Sequence, residues 1–192
     1  PDQVRAAFRA ARDVGFAGVS IDLLFAVPGQ DEAALGADID EAVALGADHI
    51  SWYELEVKPG SSLARRGAVV DEDFSEDAYR TIVERLEAAV YHWYETANFA
   101  RPGHECRHSL AYWEAADYVG LGIGAVSTVA GRRWRNAPDL AGYIAQAAEG
   151  TAPRRTGEDL DADTRRRERW MLGLRLNRPF RMDVAGPPDH PD

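Results

Sequence analysis

The chain has 192 residues, 45% of them hydrophobic and 28% charged, with a formal net charge of -10. This is the composition of a globular protein with a substantial core, and so acidic a balance excludes the broad basic face that nucleic acid or anionic lipid requires. No apolar run approaches the roughly 20 residues of a membrane span, and the single cysteine, Cys106, excludes an internal disulfide and an all-cysteine metal site and points to the reducing cytoplasm.

In chain order, Val4, Ala7, Phe8 and Ala11 recur at helical spacing between Gln3 and Val14, and Gly15 ends the pattern. The stretch from Gly18 to Gln30 follows, in which Ile21, Leu23, Phe25 and Val27 alternate with Ser20, Asp22, Leu24 and Ala26. That period of two predicts a strand with distinct faces and a carboxylate in its middle, and the carboxylate must find a partner or water. Pro28-Gly29 breaks the strand, and a helix over 31–45 carries Leu35, Ile39, Ala42 and Val43 on one side, with Gly46 as its C-cap. A second strand over 49–57 again ends in Pro59-Gly60, and two successive strand–helix units predict parallel pairing. A long amphipathic helix over 73–90 leads to an aromatic third strand over 91–100, closed by a third Pro-Gly at 102–103. Residues 104–118 read as loop or short helix, 119–127 as a glycine-rich strand, and 140–149 and 161–176 as helices joined by a polar linker. The proline-rich end reads as a disordered tail.

The candidate site residues each carry two readings. Asp22 is either a structural carboxylate paired with an arginine or a ligand-binding group, and Glu56, at the rim of the second strand, reads first as solvated. Gly120, Gly122 and Gly124 mark either a close strand crossing or a place where backbone approaches a ligand. His104, Cys106 and His108 gather three metal-ligand types within five residues, but no fourth stands nearby, so no metal site is predicted and His108 reads first as structural. The run Arg165-Arg166-Arg167 with Arg169 reads as a solvated helix face.

Five motifs fall in an ordered series: Ile21-Asp22-Leu23-Leu24-Phe25 with Pro28-Gly29-Gln30; Ala47-Asp48-His49-Ile50-Ser51-Trp52-Tyr53-Glu54-Leu55 with Pro59-Gly60; Asn98-Phe99-Ala100-Arg101-Pro102-Gly103; Arg107-His108-Ser109-Leu110-Ala111-Tyr112-Trp113; and Gly120-Leu121-Gly122-Ile123-Gly124. Together they resemble the radical SAM family of oxygen-independent coproporphyrinogen III oxidase-like proteins, in particular its haem-chaperone branch, over roughly residues 14–176. The resemblance implies an α/β fold: the C-terminal part of a partial parallel (β/α) barrel over 1–135, a small helical region over 136–180 and a tail over 181–192. It implies S-adenosylmethionine and a [4Fe-4S] cluster over the strand ends, haem or porphyrin as cargo, and haem-acceptor proteins as partners. It leaves a homodimer open.

On the same resemblance, Asp22, Leu24, Glu56, Gly122, Gly124 and Val126 contact S-adenosylmethionine. Asp22 accepts from its ribose hydroxyls or ammonium, and Leu24 and Val126 pack on its adenosine. His108 and Cys106 become haem contacts, and the arginine run a partner for propionates. No catalytic side chain is implied. The alternatives are an oxidase that converts coproporphyrinogen propionates to vinyls and a structured remnant without activity. Two departures stand out. The family's C-x3-C-x2-C cluster loop is absent, so the cluster ligands are expected upstream, outside this chain, and the chain alone is not expected to be active. Val126 also stands where the haem-chaperone branch usually carries histidine.

Overall fold

The alternation at residues 20–25 becomes a strand, and its apolar face sets the core. In the computed structural model, which describes residues 2–180, the chain divides into two compact units, Pro1–Cys106 and Arg107–Asp192. The tail expected over 181–192 lies outside the described residues.

The first unit runs α1 (Asp2–Asp13), β1 (Ser20–Phe25), α2 (Glu32–Leu45), β2 (His49–Glu54), α3 (Ser62–Arg65), α4 (Glu72–Ala88), β3 (His92–Glu95) and β4 (Asn98–Ala100). Its four strands form one sheet in the order β1-β2-β4-β3, with β1 and β2 parallel and in register from Ser20 opposite His49 to Phe25 opposite Glu54. Helix α2 starts where Asp31 accepts from the Ala34 amide at 2.8 Å and stops where Gly46 turns left-handed, as its sequence foretells. Phe25, Ile50, Trp52 and Phe99 from one face of the sheet meet Phe8, Leu35, Ile39, Ile82 and Leu86 from the helices in a single buried cluster. Each fully buried side chain of this kind contributes about 1.5–3 kcal/mol.

All three Pro-Gly pairs make the same turn. Gly29, Gly60 and Gly103 have φ of 83°, 77° and 85°, and the next amide bonds back to the carbonyl of Val27, Lys58 and Arg101, respectively, at 3.0–3.1 Å. Proline supplies the fixed φ and glycine the positive one, which is why each strand leaves the sheet abruptly.

The third strand departs from expectation. Residues 92–100 form a hairpin, β3 pairing antiparallel with β4, and β4 pairs antiparallel with β2, so the sheet is mixed. Alternation is identical in one long strand and in two short ones. The turn at Thr96-Ala97 has none of the usual Gly or Asn signals and is tied instead by the Glu95 carboxylate accepting from the Ala97 amide at 3.2 Å.

The second unit runs α5 (Arg107–Trp113), β5 (Val126–Val129), β6 (Arg132–Asn136), α6 (Leu140–Ala148), β7 (Arg155–Asp159) and α7 (Ala162–Gly173), with a three-stranded antiparallel sheet in the order β5-β6-β7. Two further expectations are corrected here. The glycine-rich run is a loop up to Ala125 and only its end enters β5, because Gly122 and Gly124 sit at φ 104° and 66°, incompatible with an extended strand. The linker over 150–160 contains β7, whose five residues are all exposed and so carry no hydrophobic alternation. Among the described residues, no helix is long and apolar enough to cross a membrane.

Candidate functional site

The register of β1 on β2 places Asp22 beside Ser51 and Leu24 beside Tyr53, and the β2–β4 pairing adds Asn98 beside Ser51. These residues share the face opposite the helix-packed core. Ser20, Asp22, Leu24 and Tyr53 are exposed there, Leu24 at 50% and Tyr53 at 44%, so the face is open. Asp22 makes no hydrogen bond or ion pair among the described residues, so no arginine among them pairs with it. A carboxylate with free acceptor capacity beside an exposed leucine is a donor-seeking, half-apolar surface.

Below it lies a buried polar chain. His49 receives or gives hydrogen bonds to Ser20 Oγ at 2.8 Å through Nδ1 and to the Tyr94 hydroxyl at 2.7 Å through Nε2, and the Cys106 amide donates to the same hydroxyl at 3.2 Å. Burial holds the His49 imidazole below its usual pKa, against the pull of Asp22 and Glu105, and burial likewise pushes the Tyr94 phenol up. Next door, burial works to raise the Asp48 carboxyl, but Arg12 at 2.7 Å and the Val19 amide at 2.8 Å prevail and hold it below the usual carboxylate value. Asp48 thus ties the starts of β1 and β2 to α1.

In the second unit, the glycine loop is stapled by side chains. The Asn136 amide donates to the carbonyl of Gly122 at 2.9 Å, the Gly122 amide donates to the Tyr143 hydroxyl at 3.0 Å, and the Gly120 amide donates to Ser127 Oγ at 3.0 Å. Gly120 is demanded by close approach, since a Cβ there would lie 2.2 Å from the Val126 carbonyl oxygen, whereas Gly122 borders open space. The close-crossing reading therefore holds for Gly120, and Gly122 and Gly124 serve conformation.

A cavity of about 510 Å³ opens between α5 and α7, lined among others by His108, Tyr112, Trp113, Tyr118, Arg133 and Met171. His108 is exposed, stacks edge-on against Tyr112 at 4.8 Å, and hydrogen-bonds to nothing among the described residues, so it is not the satisfied structural histidine first expected. Cys106 is half-buried and belongs to the first unit. Glu56 lies past the end of β2, exposed, with Lys58 at 3.6 Å. Val126 opens β5, half-buried. The arginine run is not uniformly solvated, because Arg166 is buried, and it shares Asp163 with Arg167. Among the described residues, no three His, Cys, Asp or Glu side chains are grouped to hold a metal.

Asp22, Leu24, Glu56 and Cys106 fall in the first unit, and His108, Gly122, Gly124 and Val126 in the second. Sequence reading missed His49, Tyr94, Ser127, Asn136 and Tyr143. Only His49 had a signal, a histidine opening a strand in register with a serine.

Curated relatives align with nearly the whole chain. It is 38% identical over 181 residues to "Heme chaperone HemW" of Mycobacterium tuberculosis, covering 92% of this chain and 46% of that protein. The protein of the same name from Bacillus subtilis is 34% identical over 173 residues, covering 88% and 46%. Escherichia coli "Heme chaperone HemW" is 37% identical over 127 residues. The chain spans about half the length of the first two. Among solved structures, coproporphyrinogen III oxidase (HemN) from Escherichia coli, a radical SAM enzyme, matches with a TM-score of 0.72 at 21% identity, covering 91% of this chain and 44% of that one. No family model matches.

Proposed function

This chain is a homologue of the HemW proteins and carries part of a radical SAM-type α/β fold, and on that premise we propose that it serves a haem chaperone by binding S-adenosylmethionine and haem. The observation that carries the cofactor half is Asp22, an exposed carboxylate with no partner among the described residues, on the open face of β1 two residues from the exposed Leu24. Asp22 accepts hydrogen bonds from the ribose hydroxyls or the ammonium of S-adenosylmethionine, and Leu24 packs on its adenosine. Within the second unit, Gly122, Gly124 and Val126 offer backbone and an aliphatic side chain to S-adenosylmethionine, with Asn136 and Tyr143 fixing the loop. Glu56 contributes at most from the rim, given its exposure. Haem lies against His108 and is handed to haem-acceptor proteins in a cytoplasmic setting, and Cys106, in the first unit, is a separate candidate contact.

The [4Fe-4S] cluster is a different matter. One cysteine cannot supply the three thiolates that leave one iron open to S-adenosylmethionine. This chain's own residues do not fit the cluster. The oxidase alternative, in which propionates become vinyls, draws on Val126 and on the solved HemN fold, but a 21% identical structure speaks for fold alone.

Calorimetric titration of the chain with S-adenosylmethionine tests the proposal. Asp22→Ala weakens binding by about 1.5–3 kcal/mol, the usual scale of a hydrogen bond to a charged group, or roughly tenfold to a hundredfold. Leu23→Ala, on the core face, leaves the affinity of the folded protein unchanged. An Asp22→Ala chain that binds as well as the parent, or a parent that binds nothing, removes the assignment.

A further inference from the structure

We propose that the free edge of β7 pairs with the same edge of a second copy of this chain, antiparallel about a two-fold axis at Gly157. Strand β7 ends the second unit's sheet on one side, all five of its residues are exposed, and no strand among the described residues covers its outer edge. The Ala137 amide donates to the Arg154 carbonyl at 2.8 Å and the Leu160 amide to the Gly131 carbonyl at 2.7 Å, so the even-numbered residues of this stretch bond to β6. Arg155, Gly157 and Asp159 therefore turn their N–H and C=O groups to the free edge. An edge of this kind is a template for another strand unless its side chains forbid one.

Here the side chains select the occupant. Reversed, Arg155-Thr156-Gly157-Glu158-Asp159 complements itself. An antiparallel copy centred on Gly157 sets Arg155 opposite the partner's Asp159, Thr156 opposite the partner's Glu158, and glycine opposite glycine. A residue on a two-fold axis meets its own kind, and glycine brings neither bulk nor charge there. The same register joins outward-facing residues to outward-facing residues, so Arg155, Gly157 and Asp159 each exchange both backbone hydrogen bonds with the residue opposite. Asp159 makes no ion pair among the described residues, and the Arg155 guanidinium lies 5.3 Å over the Trp134 ring, which leaves its N–H groups for a carboxylate. A parallel copy in register would oppose arginine to arginine. At β1, which also ends its sheet, the Val19 and Phe25 carbonyls accept from the Asp48 and Leu55 amides, so Ser20, Asp22 and Leu24 face outward, and a copy centred there would oppose Asp22 to the partner's Asp22. Five residues a side fall short of the roughly 20–30 of a standard stable interface, so the dimer is weak.

Sedimentation equilibrium of the 192-residue chain from about 10 μM to about 1 mM is the test. The parent moves from monomer toward dimer across that range. Arg155→Asp and Asp159→Arg each set like charges opposite one another and raise the dissociation constant by about tenfold or more. The double variant Arg155→Asp/Asp159→Arg restores the complement and dimerises as the parent does. So does an equimolar mixture of the two single variants, each monomeric alone, because the acidic edge of one meets the basic edge of the other. Circular dichroism reports whether each variant keeps its fold; should Arg155→Asp lose it with its contact to Trp134, Asp159→Arg, which gives up no ion pair within the chain, decides the matter alone. A parent that stays monomeric throughout overturns the proposal. A dimer that folded reversal variants leave intact overturns it as well, since the contact then lies on another face, and so do folded single variants that stay monomeric when mixed.

Discussion

The two units are held together by different physics. In Pro1–Cys106, one contiguous apolar cluster includes Trp52, Tyr91 and Phe99, each no more than 1% exposed. In Arg107–Asp192, the fully buried groups are mostly polar: Ser127 at 0%, Asn136 at 5% and Arg166 at 8%, with Leu160 the one large buried aliphatic among the described residues. Charge divides the same way, 20 acidic against 9 basic side chains in the first unit and 12 against 13 in the second. Burial is non-directional and tolerates repacking, whereas a polar staple works only if each donor meets its acceptor. The first unit is therefore a scaffold and the second a set of pinned loops.

Truncating the scaffold gives the largest effect. Phe99 is fully buried on the core face of β4, and Phe99→Ala lowers stability by about 3–5 kcal/mol in urea titration. Leu24→Ala, on the open face of β1, costs less than about 1 kcal/mol. Equal losses at the two positions would mean that the open face is not open.

The staples come next. Asn136→Ala leaves the Gly122 carbonyl without its donor and costs about 1–3 kcal/mol. Amide exchange of residues 120–124 accelerates more than exchange in β1 or β2, which a general loss of stability would not produce.

The same contrast decides what the sequence discloses. Helices α2 and α4 and strands β1 and β2 are legible because burial leaves a periodic trace: Leu35, Ile39 and Ala42 at helical spacing, Ile21, Leu23 and Phe25 at every second place. Strand β6, Arg132–Asn136, and the fully exposed β7 bury little and leave no such trace. At the site, Asp22 is legible as an unexplained charge on an alternating strand. Asn136 is not, since a buried amide that holds a loop has the same letter as one in solvent. The β3–β4 hairpin fails for a third reason, a turn whose bond comes from Glu95 and not from a glycine.

Acid probes the scaffold more gently, through Asp48 and His49, both held below their usual pKa. The unfolded His49 ring takes up a proton near 6.5 while the buried ring resists it, so its contribution is complete above that value and declines as pH falls toward the depressed folded pKa. Asp48 contributes fully above its ordinary 3.8 and is lost as pH falls through its lower folded value, when the bonds to Arg12 and Val19 go. The urea midpoint of the first unit is then flat above about pH 7 and falls in two stages. His49→Gln removes the upper stage and Asp48→Asn the lower. A single fall that neither variant changes would assign acid sensitivity elsewhere.

The smallest effect separates the units by sign. Ala26 and Ala130 both have positive φ, 54° and 50°, a conformation that costs an L-residue roughly 1–2 kcal/mol. Ala26 is 4% exposed and part of the core cluster, so Ala26→Gly relieves strain but gives up a buried methyl worth about 0.8 kcal/mol and frees the unfolded chain by about 0.4–1 kcal/mol. The terms cancel and the variant is near neutral. Ala130 is exposed in the two-residue connection between β5 and β6, followed by Gly131 at φ 79°, where both central residues need positive φ. Asparagine before glycine is the preferred pair for such a turn, and no buried methyl is lost. Ala130→Asn should therefore stabilise by about 0.5–1 kcal/mol, read as slower exchange of the β5–β6 amides. If Ala26→Gly gains as much as Ala130→Asn, the buried methyl carries no weight, and the division between a packed unit and a pinned one fails at the backbone.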